Sequence, residues 1–161
     1  MKARPPLVGL AIVSCLTACG AEAPGPAALD TRNERCRFCH MAVSDVHTAG
    51  QIMAPGEEPL FFDDIGCLAS YLAGLKRLPE RARVFVADHR TKVWTSAGTA
   101  VYTRVSGLDT PMGSHLVAHA DAASRQADPE VLKGTIVSRE EVFGPHGLEV
   151  GPATGVGGEG R

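Results

Sequence analysis

The sequence predicts an α+β fold, a single small domain with mixed or antiparallel sheet, from two patterns. Short apolar runs rich in β-branched and aromatic residues alternate with turn residues, which is typical of short strands. One segment instead has helical periodicity and follows Asp63 or Asp64, either of which can cap a helix. The apolar residues of that helix share one face: Ile65, Leu68, Ala69, Leu72 and Leu75.

The remaining elements are predicted as short strands and two short helices. The strand candidates are residues 51–54, 60–62, 84–86, 92–94, 100–102, 116–118 and 135–137. A short helix is expected from about Asp121, and the capping box at 138–141 predicts a last helical turn. This mixed order of strands and helices favours an α+β domain over a parallel α/β fold.

Length and charge exclude several classes of protein. A chain of 161 residues provides one globular domain and little more. The 16 Lys and Arg nearly balance the 18 Asp and Glu, and there is no basic block, so a nucleic-acid partner is not expected. No apolar run reaches the ~18–20 residues that a membrane-spanning helix needs.

The N-terminus predicts export and a lipid anchor. Basic residues at Lys2 and Arg4 precede a short apolar stretch, as in a secretory signal. Thr17-Ala18-Cys19 then resembles a bacterial lipobox, which predicts a signal peptide at 1–18 and acylation of Cys19; plain secretion is the alternative. We expect a flexible tether at 19–33, a folded domain at 34–143 and a disordered Gly/Pro-rich tail at 144–161. The domain would face the periplasm, with the outer membrane slightly favoured.

Two clusters of sulfur and imidazole side chains carry the chemistry. The first is Cys36-Arg37-Phe38-Cys39-His40-Met41, in which two thiols and a thioether stand close together. Soft sulfur donors of this kind select Cu(I), whereas a zinc site has no use for the thioether. The second cluster places Met112 and His115 in a Pro/Gly-rich loop at 110–115.

The combination of motifs resembles the NosL family, the copper-binding accessory lipoproteins of nitrous oxide reductase. The likeness includes Cys-x-x-Cys-x-Met after a lipobox, a Gly-Gln-Ile strand, a Phe-Phe-Asp-Asp helix start and a late Pro-Met-Gly-Ser motif, and it spans residues 36–142. It implies ββα-like units related to organomercurial lyase. It also implies Cu(I) ligation by Cys36, Cys39 and Met41, with Met112 matching the second motif. One departure is His40, where the family usually has glycine.

The resemblance implies a carrier and not an enzyme. A Cu(I) chaperone needs no catalytic residue, and it would pass the ion by ligand exchange to an exported copper enzyme, with nitrous oxide reductase and its membrane assembly complex as the favoured partners. Donors from His40, Met112 or His115 would complete the site. A monomer and a copper-bridged dimer are both compatible with a two-cysteine loop.

Four other interpretations compete with copper transfer. Cys36 and Cys39 could form a disulfide, or they could attach a c-type haem with His40 and Met112 as axial ligands. A thioredoxin-like exchange site is weaker, because no strand precedes the motif. Cys67 could support lyase-like chemistry, although packing is the favoured role of a lone semi-buried cysteine. The histidines at 47, 89 and 119 are expected to be surface or loop residues.

Overall fold

Two antiparallel sheets form the framework of residues 23–150, the part of the chain that this computed structural model describes. The first sheet has the strand order β2-β1-β3-β4, and the second has the order β6-β5-β7. All pairing between these strands is antiparallel, so the predicted α+β class is confirmed. The strands are β1 (Gly50–Met53), β2 (Leu60–Phe62), β3 (Arg83–Ala87), β4 (Trp94–Ser96), β5 (Val101–Arg104), β6 (Leu116–His119) and β7 (Thr135–Val137).

Each of the three helices begins at a side-chain cap that the sequence suggests. The caps Asp64, Asp121 and Ser138 accept backbone N–H bonds from the first turns. The first helix ends earlier than predicted, because Gly74 N–H turns back to the last carbonyls of the helix. The helices are α1 (Ile65–Ala73), α2 (Ala122–Gln126) and α3 (Arg139–Phe143).

The fourth strand lies two residues later than predicted, at Trp94–Ser96 and not 92–94. A tight turn occupies the intervening residues, in which Lys92 N–H donates to the Asp88 carbonyl at 2.7 Å. Lys92 adopts a φ of 61°, a left-handed conformation that cannot continue a strand. Hydrophobicity alone therefore misplaced the start of this strand.

The predicted tether and tail both contact the domain where the structure describes them. Gln51 is fully buried, and its side-chain amide exchanges hydrogen bonds of 2.8 and 3.2 Å with the backbone of Ala27. At the other end, Leu148 packs against the core, and Leu78 N–H donates to the Glu149 carbonyl. The predicted signal peptide and the predicted acylation site, Cys19, lie outside the described residues. Within residues 23–150, no helix is both long and apolar enough to cross a bilayer.

The carboxylate of Asp88 joins the two sheets where β3 ends. Its Oδ2 accepts hydrogen bonds from Ala120 N–H at 2.8 Å and Ser124 Oγ at 2.6 Å, while Oδ1 accepts from the N–H groups of Arg90 and Thr91. Burial by itself would raise the pKa of this carboxyl, but hydrogen bonds from Ala120, Ser124 and Thr91 hold the pKa far below its usual value. Asp88 is therefore ionised and fixes the end of β3 against β6 and α2.

Replacing Asp88 by alanine is expected to destabilise the fold by about 3 kcal/mol, because buried donors then lose an ionised acceptor. Chemical denaturation of the wild type and D88A measures the change. The control is D109A, which removes an exposed carboxylate and should stay within about 0.5 kcal/mol of the wild type. Equal stability of D88A and D109A would show that Asp88 does not join the sheets.

Candidate metal centre

The Cys36–Met41 segment is a tight loop closed by backbone hydrogen bonds. Cys36 N–H donates to the Met41 carbonyl at 2.8 Å, and His40 N–H donates back to the Cys36 carbonyl at 3.0 Å. This closure puts His40 at a φ of 65°, a left-handed conformation that favours glycine and that histidine tolerates better than most residues. The loop geometry thus explains why glycine suits this position in the NosL pattern.

Three thiols and one carboxylate gather beside this loop. Candidate ligand atoms of Cys36, Cys39, Asp63 and Cys67 all lie within 4.8 Å of one another, and we call these four residues the thiol group. Arg37 N–H donates to the Phe61 carbonyl, which holds the loop against β2, while Cys67 comes from the first turn of α1. All are buried except Cys39, which is partly exposed, so the group lies at the edge of the core.

The carboxylate of the thiol group lacks a full set of partners. Asp63 Oδ2 accepts a hydrogen bond from Cys39 Sγ at 3.2 Å. Its other oxygen, Oδ1, is buried and has no hydrogen-bond partner among residues 23–150. A buried carboxylate oxygen without a donor is costly, and a cation placed among the thiols would offset that cost. The donor set therefore fits a soft cation, with three sulfurs as ligands and a carboxyl oxygen nearby.

Cys39 and Cys67 are neutral thiols when no metal is bound. Burial raises the pKa of Cys39 to about 11, although the hydrogen bond with the Met41 backbone lowers it and the contact with Asp63 raises it by less. Burial and the Asp63 carboxylate likewise raise the pKa of Cys67 well above its usual value. All three described cysteines are free thiols, so no disulfide joins Cys36 to Cys39 in this structure.

The second sequence motif contacts the start of α1, next to the thiol group. Met112 N–H donates to Asp64 Oδ2 at 3.0 Å. A Cβ added to Gly66 would lie 2.7 Å from Ser114 Cβ, so only glycine permits this approach of the loop to the helix. Met41 and Met112 are about half exposed, at 49% and 47%. Both methionines therefore belong to segments that adjoin the thiols, and both side chains face solvent.

The two histidines of the predicted ligand set do not join the thiol group. His40 is exposed. Neither nitrogen of its ring lies within 4.8 Å of every ligand atom of the thiol group. His115 Nδ1 donates a hydrogen bond to the Leu108 carbonyl at 2.7 Å, which orients its ring within its own loop. The structure thus brings the predicted cysteines together without either imidazole.

Sequence reasoning missed Asp63 and Cys67 as members of this group. Cys67 was expected to pack, and it does belong to the core, but its sulfur also faces the other two thiols. The signal was present in Phe-Asp-Asp-Ile-Gly-Cys, since residues just before a helix and in its first turn lie close together. For His119 the prediction of a surface or loop residue is wrong, because it lies buried in β6; His89 does lie in the turn after β3, but it is buried there.

Alkylation should distinguish the three thiols. Cys39 is expected to react first with iodoacetamide, because it alone among them is partly exposed. With a pKa of about 11, its rate should rise roughly tenfold per unit between pH 7 and pH 9, since the thiolate fraction rises in that proportion below the pKa. Peptide mass spectrometry follows each cysteine separately. A rate that levels off below pH 9 would contradict the raised pKa.

Comparison with known proteins agrees with this geometry. No curated protein and no solved structure matches the chain. The family model NosL matches residues 26–144, which include the cysteine loop, the start of α1 and the Met112 loop. Because that match covers well over half of the 161 residues, the chain belongs to the NosL family, and this membership together with the thiol group implies a copper-binding accessory function.

Proposed function

We propose that this protein carries Cu(I) at the thiol group and delivers it to an exported copper enzyme, with nitrous oxide reductase as the favoured client. The observation that carries this proposal is the convergence of three thiols, two of them buried, beside a carboxylate with an unpartnered oxygen. Sulfur donors favour Cu(I) over hard cations. The buried carboxylate adds an attraction for any cation that enters.

Copper binding at this group exchanges protons for the ion. Cys39 and Cys67 are protonated at neutral pH, so each of these sulfurs releases one proton when it binds Cu(I) as a thiolate. Cys39 already donates its S–H to Asp63, so this carboxylate is the group in contact with the departing proton. The apparent Cu(I) affinity should therefore rise with pH, by roughly tenfold per unit for each thiolate formed.

The exposed methionines support transfer by ligand exchange. Met41 and Met112 adjoin the buried thiols from two different loops and remain about half exposed. A neutral thioether binds Cu(I) without adding charge, so it can hold the ion near the surface until a partner's sulfur replaces it. In this proposal Cys36, Cys39 and Cys67 retain the ion, and the methionines pass it on.

The setting of this exchange is proposed from the N-terminal motif. Acylation of Cys19 would anchor the chain to a bacterial membrane, the outer one slightly favoured, with the domain in the periplasm. There it would meet its client and the client's membrane assembly complex, as a monomer or a copper-bridged dimer. The protein acts as a carrier in this proposal, and no residue is given a catalytic role.

The competing interpretations fit the burial of the cysteines less well. A c-type haem needs covalent bonds to both sulfurs of the motif, whereas Cys36 is 1% exposed and faces Cys67 and Asp63. Thiol exchange needs an accessible thiolate of low pKa, whereas burial raises the pKa of Cys39 and of Cys67. Both observations favour a metal that displaces protons inside the fold.

Removing a thiol is expected to abolish tight copper binding. The protein, produced from Gly20 onward and kept reduced and anaerobic, is titrated with Cu(I) against a chromophoric chelator. We expect one ion per chain, and a loss of affinity of at least roughly 100-fold in C36S and in C39S, because each variant lacks a thiolate ligand. C67S tests the third sulfur in the same way.

The control for these variants is H146Q, which removes an exposed imidazole outside the thiol group and should bind as tightly as the wild type. If the chelator keeps the copper from the wild type, the proposal is wrong. In that case a Soret absorption band in the purified protein would favour haem.

Replacing Met41 by alanine is expected to weaken Cu(I) binding roughly tenfold, because the variant lacks a thioether ligand. The fold should stay intact, because this half-exposed side chain contributes little to the core. The same chelator competition measures the change, and circular dichroism confirms the fold. L132A is the matched control, since Leu132 is similarly exposed at 53% and offers no sulfur. An affinity of M41A equal to that of L132A would remove Met41 from the site.

A further inference from the structure

Two buried imidazoles and a carboxylate converge where the two sheets meet. His89 Nδ1 lies 2.7 Å and His119 Nε2 lies 3.1 Å from the same oxygen, Oδ2, of Asp128. The three candidate ligand atoms all lie within 4.8 Å of one another. His119 is fully buried, and His89 and Asp128 are 7% and 4% exposed. None of these residues belongs to the thiol group.

The fold holds the two imidazoles firmly in place. His119 ends β6, and His89 follows β3 and donates its backbone N–H to the Ala118 carbonyl at 2.8 Å. The neighbouring Asp88 carboxylate secures the same junction through Ala120 and Ser124. Ligands supplied by strand ends and cross-sheet contacts keep their relative positions better than ligands on free loops.

The carboxylate is ionised, and its remaining oxygen is occupied. Burial favours the neutral form of Asp128, but hydrogen bonds from His89 and His119 lower its pKa below the usual value. Oδ1 accepts the Glu130 N–H at 3.1 Å, which orients the carboxylate so that Oδ2 faces both rings. One negative oxygen between two imidazole nitrogens is the donor arrangement of a mononuclear metal site.

The observed distances are close to those that a metal ion requires. Bonds of ~2.0–2.1 Å to Zn²⁺ in a tetrahedral site place ligand atoms ~3.3 Å apart. The two nitrogens lie 2.7 and 3.1 Å from the Asp128 oxygen, so an ion needs only a small opening of the group. The hydrogen bonds of the metal-free state therefore hold the ligands near their metal-bound positions.

When one nitrogen of each ring binds an ion, the other nitrogen of that ring must carry the proton. With a metal on Nδ1, His89 carries its proton on Nε2, which lies 4.0 Å from Glu130 Oε2. A carboxylate facing the second nitrogen of a metal-bound imidazole is a recurring feature of zinc sites. Nδ1 of His119 has no hydrogen-bond partner among residues 23–150. It is therefore unpartnered both in the metal-free state and with an ion on Nε2.

The geometry points to a second metal site at His89, His119 and Asp128, for a divalent ion of the Zn²⁺ type. Imidazole nitrogen and carboxylate oxygen suit such ions, and the absence of sulfur among these three ligands disfavours Cu(I). Three protein ligands leave the fourth position for water. The bound ion would link β3, β6 and the segment after α2, and so stabilise the junction of the two sheets.

The test follows the imidazoles directly. The full-length chain, labelled with ¹⁵N-histidine and purified in mild detergent, is titrated with Zn²⁺ at pH 7.5 and observed by NMR. The ring nitrogens of His89 and His119 are expected to shift as Zn²⁺ saturates the site, while those of the exposed His146 do not. D128N should bind Zn²⁺ at this site at least roughly tenfold more weakly.

The matched control is D121N, which changes a nearby carboxylate to an amide at a helix cap that asparagine fills equally well. Its Zn²⁺ affinity should equal that of the wild type. Unshifted His89 and His119 resonances in excess Zn²⁺ would overturn the proposal, as would full affinity in D128N. If D128N does not fold, the wild-type resonances alone decide between these outcomes.

Discussion

The arrangement of the thiol group and the Met112 loop depends on the hydrogen bonds that the Asp64 carboxylate accepts. It accepts the Gly66 N–H at 2.5 Å, which starts α1, and the Met112 N–H at 3.0 Å, which brings in the second motif. Although burial raises the pKa of this carboxyl, hydrogen bonds from Ser114, Met112, Thr110 and Gly66 keep it lowered overall. One ionised side chain thus sets the helix start, the position of Asp63 and the position of Met112.

Burial serves both stability and ion binding in this domain. Cys36 and Cys67 belong to the hydrophobic core, where they pack like other small apolar side chains. The same burial removes water from the sulfurs and raises the pKa of Cys67, so that an ion must displace a proton from that thiol to bind. The site is therefore compatible with a stable metal-free fold.

Two polar centres occupy equivalent places in the first sheet. Asp63 and Asp64 follow β2, and Asp88 and His89 follow β3. Asp64 and Asp88 each bind a distant backbone N–H, that of Met112 and that of Ala120 respectively. Asp63 and His89 each belong to a group of candidate metal ligands. The end of a strand suits both roles. Backbone groups beyond the last strand pair need new hydrogen-bond partners, and side chains there can point out of the core.

By itself, the sequence determined the local features of this protein. The strands near residues 60–62 and 135–137, the apolar face of α1, its cap at Asp64 and the sulfur motif at 36–41 all follow from patterns between residues close in the chain. Such features depend on periodicity, capping and donor chemistry, which act over a few residues. The sequence-based preference for copper over zinc likewise rests on the thioether beside the thiols.

The tertiary structure decided which distant side chains share a site. Asp63 and Cys67 join Cys36 only because the cysteine loop pairs with the end of β2, and His89 meets His119 only because β3 lies against β6. The left-handed φ of His40 is likewise set by closure of its loop. Contacts of this kind depend on the packing of whole elements, and that packing has no signature in the residues of any one segment.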